Sequence, residues 1–435
     1  MRIQRLLATA LATLLLSGCT SLSLSGPDIL APPKAAGRRA EIQSLIEKDS
    51  GGAYALIYPT SGSYKSGIVM IDTDADGTEE AVALYTAADG TPRILTAQEQ
   101  DEHFRSTGAV KLPSANITAI SFGDFNADGV KEPVVSFDGG TTHTSLKAYL
   151  SGDELTEISV ADGYIDYITA DFDGNSADDI LLFRPSGEKA PAKGSLMIYE
   201  KDGFVEKSSC ETDAAVTSYP QLRYDKISDD LKGVIADGKR PNGEYTTQLI
   251  YYDNAAKMLV NPLFLNNSYR DSARTVPVMS ADIDGDGIFD IPLCSLTGHT
   301  EDEDLSAVCS RARWNNYDPE QMALAFKQDS ILCEKLGFLL KSDAGVLNSV
   351  TARYTAENAV TLYALSFKDG DPVIGGELLT VKRYGKSSYD SSRTAEADLF
   401  ESSNYIYTYV LSEGSPFSHD DVKNSFALTG AETIQ

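Results

Sequence analysis

Asp72-Thr-Asp-Ala-Asp-Gly-Thr-Glu-Glu80 places an oxygen-bearing side chain at its first, third and fifth positions and a carboxylate at its ninth. Three further stretches repeat the spacing: Asp124-Phe-Asn-Ala-Asp-Gly-Val-Lys-Glu132, Asp171-Phe-Asp-Gly-Asn-Ser-Ala-Asp-Asp179 and Asp282-Ile-Asp-Gly-Asp-Gly-Ile-Phe-Asp290. Glycine holds the sixth position in three of them and Ser176 holds it in the other. Alternate side chains point inward, the glycine allows a sharp turn, and the seventh-position carbonyl adds an oxygen. That is how a chain wraps a hard cation, and Ca²⁺ takes six to eight such oxygens.

An EF-hand would need a bidentate Glu at position 12 and flanking helices. Position 12 here is Ala83, Val135, Leu182 or Leu293. The loops run instead into Ala81–Tyr85, Pro133–Phe137, Ile180–Phe183 and Ile291–Cys294, short apolar runs that read as buried strands. The repeating unit is therefore loop then strand. Its copies begin at residues 72, 124, 171 and 282, with gaps of 52, 47 and 111. The last gap is about two units long. A degenerate copy fits within it at Lys226–Ala236, followed by strand-like Thr247–Tyr252, and lacks the alternating oxygens, so no ion is expected there. A period near 50 with several strands per unit predicts propeller blades.

Ser121-Phe-Gly-Asp-Phe-Asn-Ala-Asp-Gly129 resembles the FG-GAP or VCBS-type repeat of integrin alpha propellers and of many bacterial surface proteins. The resemblance covers about residues 50–330 and implies a mainly β chain with up to four Ca²⁺ sites. The implied ligands are Asp72, Asp74, Asp76, the Thr78 carbonyl and Glu80 in the first loop. The second supplies Asp124, Asn126, Asp128, the Val130 carbonyl and Glu132. The third supplies Asp171, Asp173, Asn175, the Ala177 carbonyl and Asp179, and the fourth Asp282, Asp284, Asp286, the Ile288 carbonyl and Asp290. Two loops end in Glu where the family usually has Asp. Propellers host many functions, so the likeness implies fold and metal rather than an activity.

Residues 1–19 read as a lipoprotein signal peptide. Arg2 and Arg5 precede an apolar stretch, Leu6–Leu16, too short to span a bilayer. Leu16-Ser-Gly-Cys19 resembles the bacterial lipobox, which implies lipid on Cys19 and an exported protein held in the cell envelope on the outer side of its membrane. Residues 20–49 form a Ser-, Gly- and Pro-bearing tether and a short amphipathic helix with apolar Ile42, Leu45 and Ile46. Tyr54–Tyr58 is strand-like and is expected to close the ring by completing the last blade. About six blades are expected over 50–330, the sixth combining Tyr54–Tyr58 with strands between Ser310 and Lys327, with seven as the alternative. Residues 331–435 read as a small α+β domain, with degenerate blades as the competing reading. There Ser418 is expected to cap a helix, with Asp421 completing a capping box and Val422 and Phe426 on one face.

The net charge of −27 over 435 residues argues against a nucleic-acid partner, because phosphate binding needs Lys and Arg. Of the five cysteines, Cys19 is assigned to lipid, leaving Cys210, Cys294, Cys309 and Cys333. Cys294 and Cys309 are nearest in sequence and could bridge a hairpin; buried free thiols fit equally well. The four histidines, His103, His143, His299 and His419, lack zinc-like spacing, and no G-x-S-x-G motif is present. His143 and His299 read as surface loop residues. The expected function is a membrane-anchored binding or scaffold module for a surface protein or glycan. The alternative is an extracellular carbohydrate-active enzyme or lyase that works on the propeller face.

Overall fold

The computed structural model describes residues 37–139, 144–152, 154–342, 346–389 and 396–429. Cys19, most of the tether and His143 lie outside them. No helix among the described residues is long and apolar enough to cross a membrane.

The described residues are mainly β and form six antiparallel sheets. Helix α1 (Arg38–Ser50) comes first. The first sheet holds β1 (Ala55–Leu56), β2 (Ile68–Ile71), β3 (Glu80–Thr86), β4 (Pro92–Gln100) and β5 (His103–Lys111). The second is β6 (Ile117–Gly123), β7 (Glu132–Asp138), β8 (Thr144–Leu150) and β9 (Thr156–Asp162). The third is β10 (Asp166–Ala170), β11 (Asp179–Arg184), β12 (Lys193–Glu200) and β13 (Gly203–Glu211). The fourth is β14 (Ser218–Ser228), β15 (Leu231–Lys239), β16 (Tyr245–Asp253) and β17 (Met258–Val260), followed by the short α2 (Pro262–Leu265).

The fifth sheet runs β18 (Ile291–Leu296), β19 (Ser310–Asp318), β20 (Ala323–Cys333) and β21 (Phe338–Ser342). The sixth contains β22 (Val350–Ala356), β23 (Ala359–Lys368), β24 (Asp371–Gly385), β25 (Ala397–Glu401) and β26 (Tyr405–Leu411). After α3 (His419–Ser425), β27 (Phe426–Leu428) returns to pair with β21 in the fifth sheet.

Each sheet packs its face on the next. Val82, Leu84 and Ile94 meet Ile120, Val135 and Phe137 between the first and second sheets. Val134 and Leu146 meet Ile180 and Leu182 between the second and third. Leu181 and Phe183 meet Val234 and Ile250, and Ile235 and Leu249 meet Phe289 and Ile291. Ile331 and Leu340 meet Val350, Val360 and Leu362 between the fifth and sixth. Strands such as β3, β7 and β11 are buried on both faces. This is why the sequence after each Asp loop is continuously apolar rather than alternating. The other face of the first sheet lies under α1, whose Ile42 and Ile46 are fully buried against Ala81, Ala83 and Tyr85.

Three expectations are corrected. Tyr54–Tyr58 does not complete a last blade: β1 pairs with β3 inside its own sheet, at Leu56 opposite Tyr85. The strands between Ser310 and Lys327 belong to the fifth sheet, not to a sixth unit shared with the N-terminal strand. The boundary expected at 330 falls within β20, and the residues beyond it add a sixth sheet to the same succession rather than a separate layer. The Ser418 capping box forms as read, with Asp421 N–H donating to Ser418 Oγ and Ser418 N–H to Asp421 Oδ2.

Candidate metal centre

The four Asp loops share one local design. The first three join β2 to β3, β6 to β7 and β10 to β11, and the fourth enters β18 by way of an Ala281–Asp290 bridge. The position-6 N–H donates to a position-1 carboxylate oxygen: Gly77 to Asp72 at 3.0 Å, Gly129 to Asp124 at 3.0 Å, Ser176 to Asp171 at 2.9 Å and Gly287 to Asp282 at 2.9 Å. The position-7 N–H donates to position 5, for instance Val130 to Asp128 and Ile288 to Asp286, both at 2.8 Å. These bonds hold the side chains curled into the loop.

The backbone is left-handed at position 6 (φ 88°, 89°, 74° and 81°) and again at position 4. Position 4 is Gly174 or Gly285 in two loops but Ala75 and Ala127 in the others, with φ near 59° and 57°. Ser176 thus adopts a conformation that costs a side-chain-bearing residue on the order of 1 kcal/mol.

Position 9 opens the next strand and is buried: Glu80 is 7% exposed, Glu132 0%, Asp179 1% and Asp290 0%. One of its oxygens accepts the position-2 N–H, from Thr73 at 2.7 Å, Phe125 at 3.2 Å, Phe172 at 3.2 Å and Ile283 at 3.0 Å. The other is left unsatisfied in two loops, where Glu132 Oε1 and Asp290 Oδ1 are buried without a partner, as is Asp72 Oδ1 at position 1. A buried, unpaired carboxylate oxygen is costly unless a cation meets it. Burial, and then the Asp128 and Asp124 charges, push the Glu132 carboxyl up to about 7. Burial does the same to Asp179 and Asp290, again to about 7, reinforced by Asp173 beside one and Asp284 beside the other.

Carboxylates at positions 1, 3 and 9 converge within 4.8 Å in three loops: Asp72, Asp74 and Glu80; Asp171, Asp173 and Asp179; Asp282, Asp284 and Asp290. The longer Glu80 therefore reaches the cluster as an Asp would. In the second loop position 3 is Asn126, whose amide oxygen accepts the Asp128 N–H at 3.0 Å. Every candidate ligand is a hard oxygen, which suits Ca²⁺, Mg²⁺ or Mn²⁺ and not a soft-ligand metal.

Two lysines enter the site that sequence reading missed. Lys207 Nζ pairs with Asp173, and Lys327 Nζ lies 2.7 Å from Asp286 Oδ2 and 3.4 Å from Asp284 Oδ2. Lys207 is the extra residue of a β-bulge between β12 and β13, and Lys327 of one between β19 and β20. A bulge re-aims a side chain. The first and second sheets carry the same bulge, at Thr107 and Val160. No local sequence signal marks a bulge, so these lysines were legible only from strand register.

The loops also touch one another along one rim. The position-8 N–H of the second, third and fourth loops reaches the preceding unit: Lys131 donates to Thr73 O at 2.8 Å, Asp178 to Asp124 O at 2.6 Å, and Phe289 to Lys226 O at 3.2 Å in the degenerate copy. The degenerate copy is a tight hairpin, β14 to β15, with Asp229 and Asp230 at its turn. It keeps the link without the oxygen cage.

The three described histidines stand apart. His103 is exposed beside Glu41, His299 contacts Thr297 O, and His419 contacts Tyr409 OH.

No protein-family model matches this chain, and no curated protein does. Among solved structures it is similar to a rhamnogalacturonan lyase of Bacillus licheniformis, at 13% identity over 75% of this chain and 77% of that one, with a TM-score of 0.33. It is also similar to a periplasmic gluconolactonase of Pseudomonas aeruginosa, at 10% identity over 74% of this chain and 87% of that one, with a TM-score of 0.29. Likenesses this distant in shape carry no argument about activity.

Proposed function

We propose that this chain is a calcium-stapled, propeller-type binding or scaffold module, tethered to a membrane through lipid on Cys19 and facing away from the cytoplasm. The observation that carries the metal part is the position-9 carboxylate. It is buried in all four loops and keeps a partnerless oxygen in two, Glu132 and Asp290. Asp72, Asp74, Asp76 and Glu80 would hold one ion, and their counterparts in the other three loops the rest. Bound Ca²⁺ supplies the positive charge that lets these acids stay ionised in the interior. Ca²⁺ is favoured over Mg²⁺ because nine-residue loops with mixed Asp, Asn and Glu ligands suit its flexible coordination better than a strict octahedron. The likeness of the loops to FG-GAP and VCBS repeats supports the same reading. A cavity of about 900 Å³ between the fifth and sixth sheets, lined by Ile331, Leu340, Leu362, Leu365, Phe417 and the loop residue Asp284, supports a binding role.

Native mass spectrometry of the purified protein tests the metal. Up to four calcium ions are expected, and stoichiometric zinc or iron would overturn the assignment. Cys19→Ser tests the anchor: the variant should leave the membrane fraction and lose acyl label. Capture of surface proteins or glycans by the calcium-loaded protein tests the scaffold reading. Turnover of a glycan, abolished by replacing one carboxylate outside the loops, would replace it with the enzyme reading.

A further inference from the structure

Cys309 and Cys333 sit far apart in the chain but face each other in the fold. The β19–β20 ladder pairs Ser310 with Leu332, so its next rung sets Cys309 opposite Cys333. The Cys309 N–H donates to Ala352 O and its carbonyl accepts from Thr297 N–H, both at 3.0 Å and both pointing away from β20. Cys309 therefore faces Cys333 as a non-hydrogen-bonded pair. In antiparallel sheets that geometry brings Cα atoms to about 4.5 Å and side chains closest together, within the span a disulfide bridges. Both residues are 0% exposed, share one core with Leu336 and Tyr407, and hold their sulfurs within hydrogen-bonding reach. Cys294, the nearest cysteine in sequence, is opposite Ala312 instead, and Cys210 lies on β13 in the third sheet. The register thus does not set Cys294 opposite Cys309, the bridge that the sequence left open beside free thiols.

We propose that Cys309 and Cys333 form a structural disulfide that closes the β19–β20 hairpin where the sixth sheet docks. The step is thiol–disulfide exchange with a disulfide-bearing oxidant, a protein dithiol oxidase or glutathione disulfide. One thiolate attacks a sulfur of the oxidant and releases a thiol. The second thiolate then attacks the mixed disulfide and expels the oxidant's second sulfur, so an S–S bond forms here, the oxidant's S–S bond is reduced, and the two protons given up by Cys309 and Cys333 end on the oxidant's two thiols. Burial pushes the Cys333 thiol far above its ordinary range in the folded chain, so exchange takes place before the fifth and sixth sheets close over the pair. Once closed, the same burial keeps reductants out. The inference is independent of the calcium reading, and only its cellular oxidant draws on export.

The test uses full-length protein, trapped with N-ethylmaleimide in denaturant and digested without reduction. Peptides carrying Cys309 and Cys333 should emerge as one linked species, with Cys210 and Cys294 alkylated. Refolding the reduced chain with glutathione disulfide should give the same single link, which separates the geometry from the compartment. Reduction should lower the parent's melting temperature by roughly 4 °C and leave Cys309→Ala/Cys333→Ala unchanged. Alkylation of both residues after refolding, or a link from either to Cys210 or Cys294, would overturn the pairing.

Discussion

The first, second, third and fifth sheets differ from the fourth and sixth in how they balance buried charge. The first group carries a nine-residue acid loop before β3, β7, β11 and β18, and a bulge in the β4–β5, β8–β9, β12–β13 and β19–β20 pairings that follow. The other two turn tightly, at Asp229-Asp230 and Glu357-Asn358, and pair the corresponding strands in continuous register. In place of a loop the fourth sheet holds a guanidinium. Arg274 reaches Asp237 at 2.8 Å with both side chains 0% exposed, and Thr247, Ser280 and Gln221 complete the carboxylate's bonds. Arg353 of the sixth sheet pairs with Glu303, which ties it to the loop between β18 and β19. If the loops hold the proposed calcium, the same stacking is served by an exchangeable cation in one group and a covalently held one in the other, and a chelator would empty the first and not the second.

Chelation should give the largest effect. An ion bound only to the folded form stabilises by RT ln(1 + [L]/Kd), ~2.7 kcal/mol per site at a hundredfold excess over Kd. Four sites would rival a typical domain's ~5–15 kcal/mol. Melts with and without chelator should show a steep drop, and Asp284→Ala should reproduce part of it. Asp229→Ala, at the exposed hairpin turn, should move stability by less than ~0.5 kcal/mol. An unchanged melt after verified metal removal would break the comparison at its root.

Arg274→Ala comes next. It leaves Asp237 buried without its cation, a loss of about 3–5 kcal/mol. The loss should be the same with calcium present or removed, since the fourth sheet has no loop. If the variant responds to calcium differently from the parent, the two groups are not independent.

Lys327→Met sharpens the contrast inside the loop-bearing group. Its ammonium competes for Asp284 and Asp286, yet is about a third exposed, so the pair is worth only ~1 kcal/mol. Its removal should tighten calcium at the fourth loop roughly fivefold by titration calorimetry. Weaker binding would mean that the lysine supports the site.

The smallest effect concerns pH outside the loops. Burial pushes Asp166 on β10 up to about 6, against the opposing bond from Tyr167 N–H. An acid whose pKa is raised on folding holds its proton in the folded state after the unfolded chain has released it. It therefore weakens the fold progressively as pH rises from about 4 to about 6. Asp166→Asn should raise the melting temperature by roughly 1 °C at pH 7.5 and leave it unchanged at pH 4. A gain at pH 4 would point to packing rather than charge.

The acid loops, the strands after them, the degenerate copy and the Ser418 cap were all legible in the sequence. Each is decided within about a dozen residues: the 1-3-5-9 spacing, glycine at position 6, an apolar run buried on both faces. What sequence reading could not reach was set by partners far along the chain. The apolar stripe of α1 predicts burial, but only packing chose the first sheet. Tyr54–Tyr58 reads as a strand, but register alone placed β1 against β3. Lys207 and Lys327 look like ordinary surface lysines until a bulge turns them toward the loops. Cys309 meets Cys333 because two strands align at Ser310 and Leu332. Backbone turns and alternation are local physics and are written in local sequence. Which sheet faces which, and which side chains a register brings together, depends on burying apolar surface between segments tens of residues apart, and only the folded chain decides that.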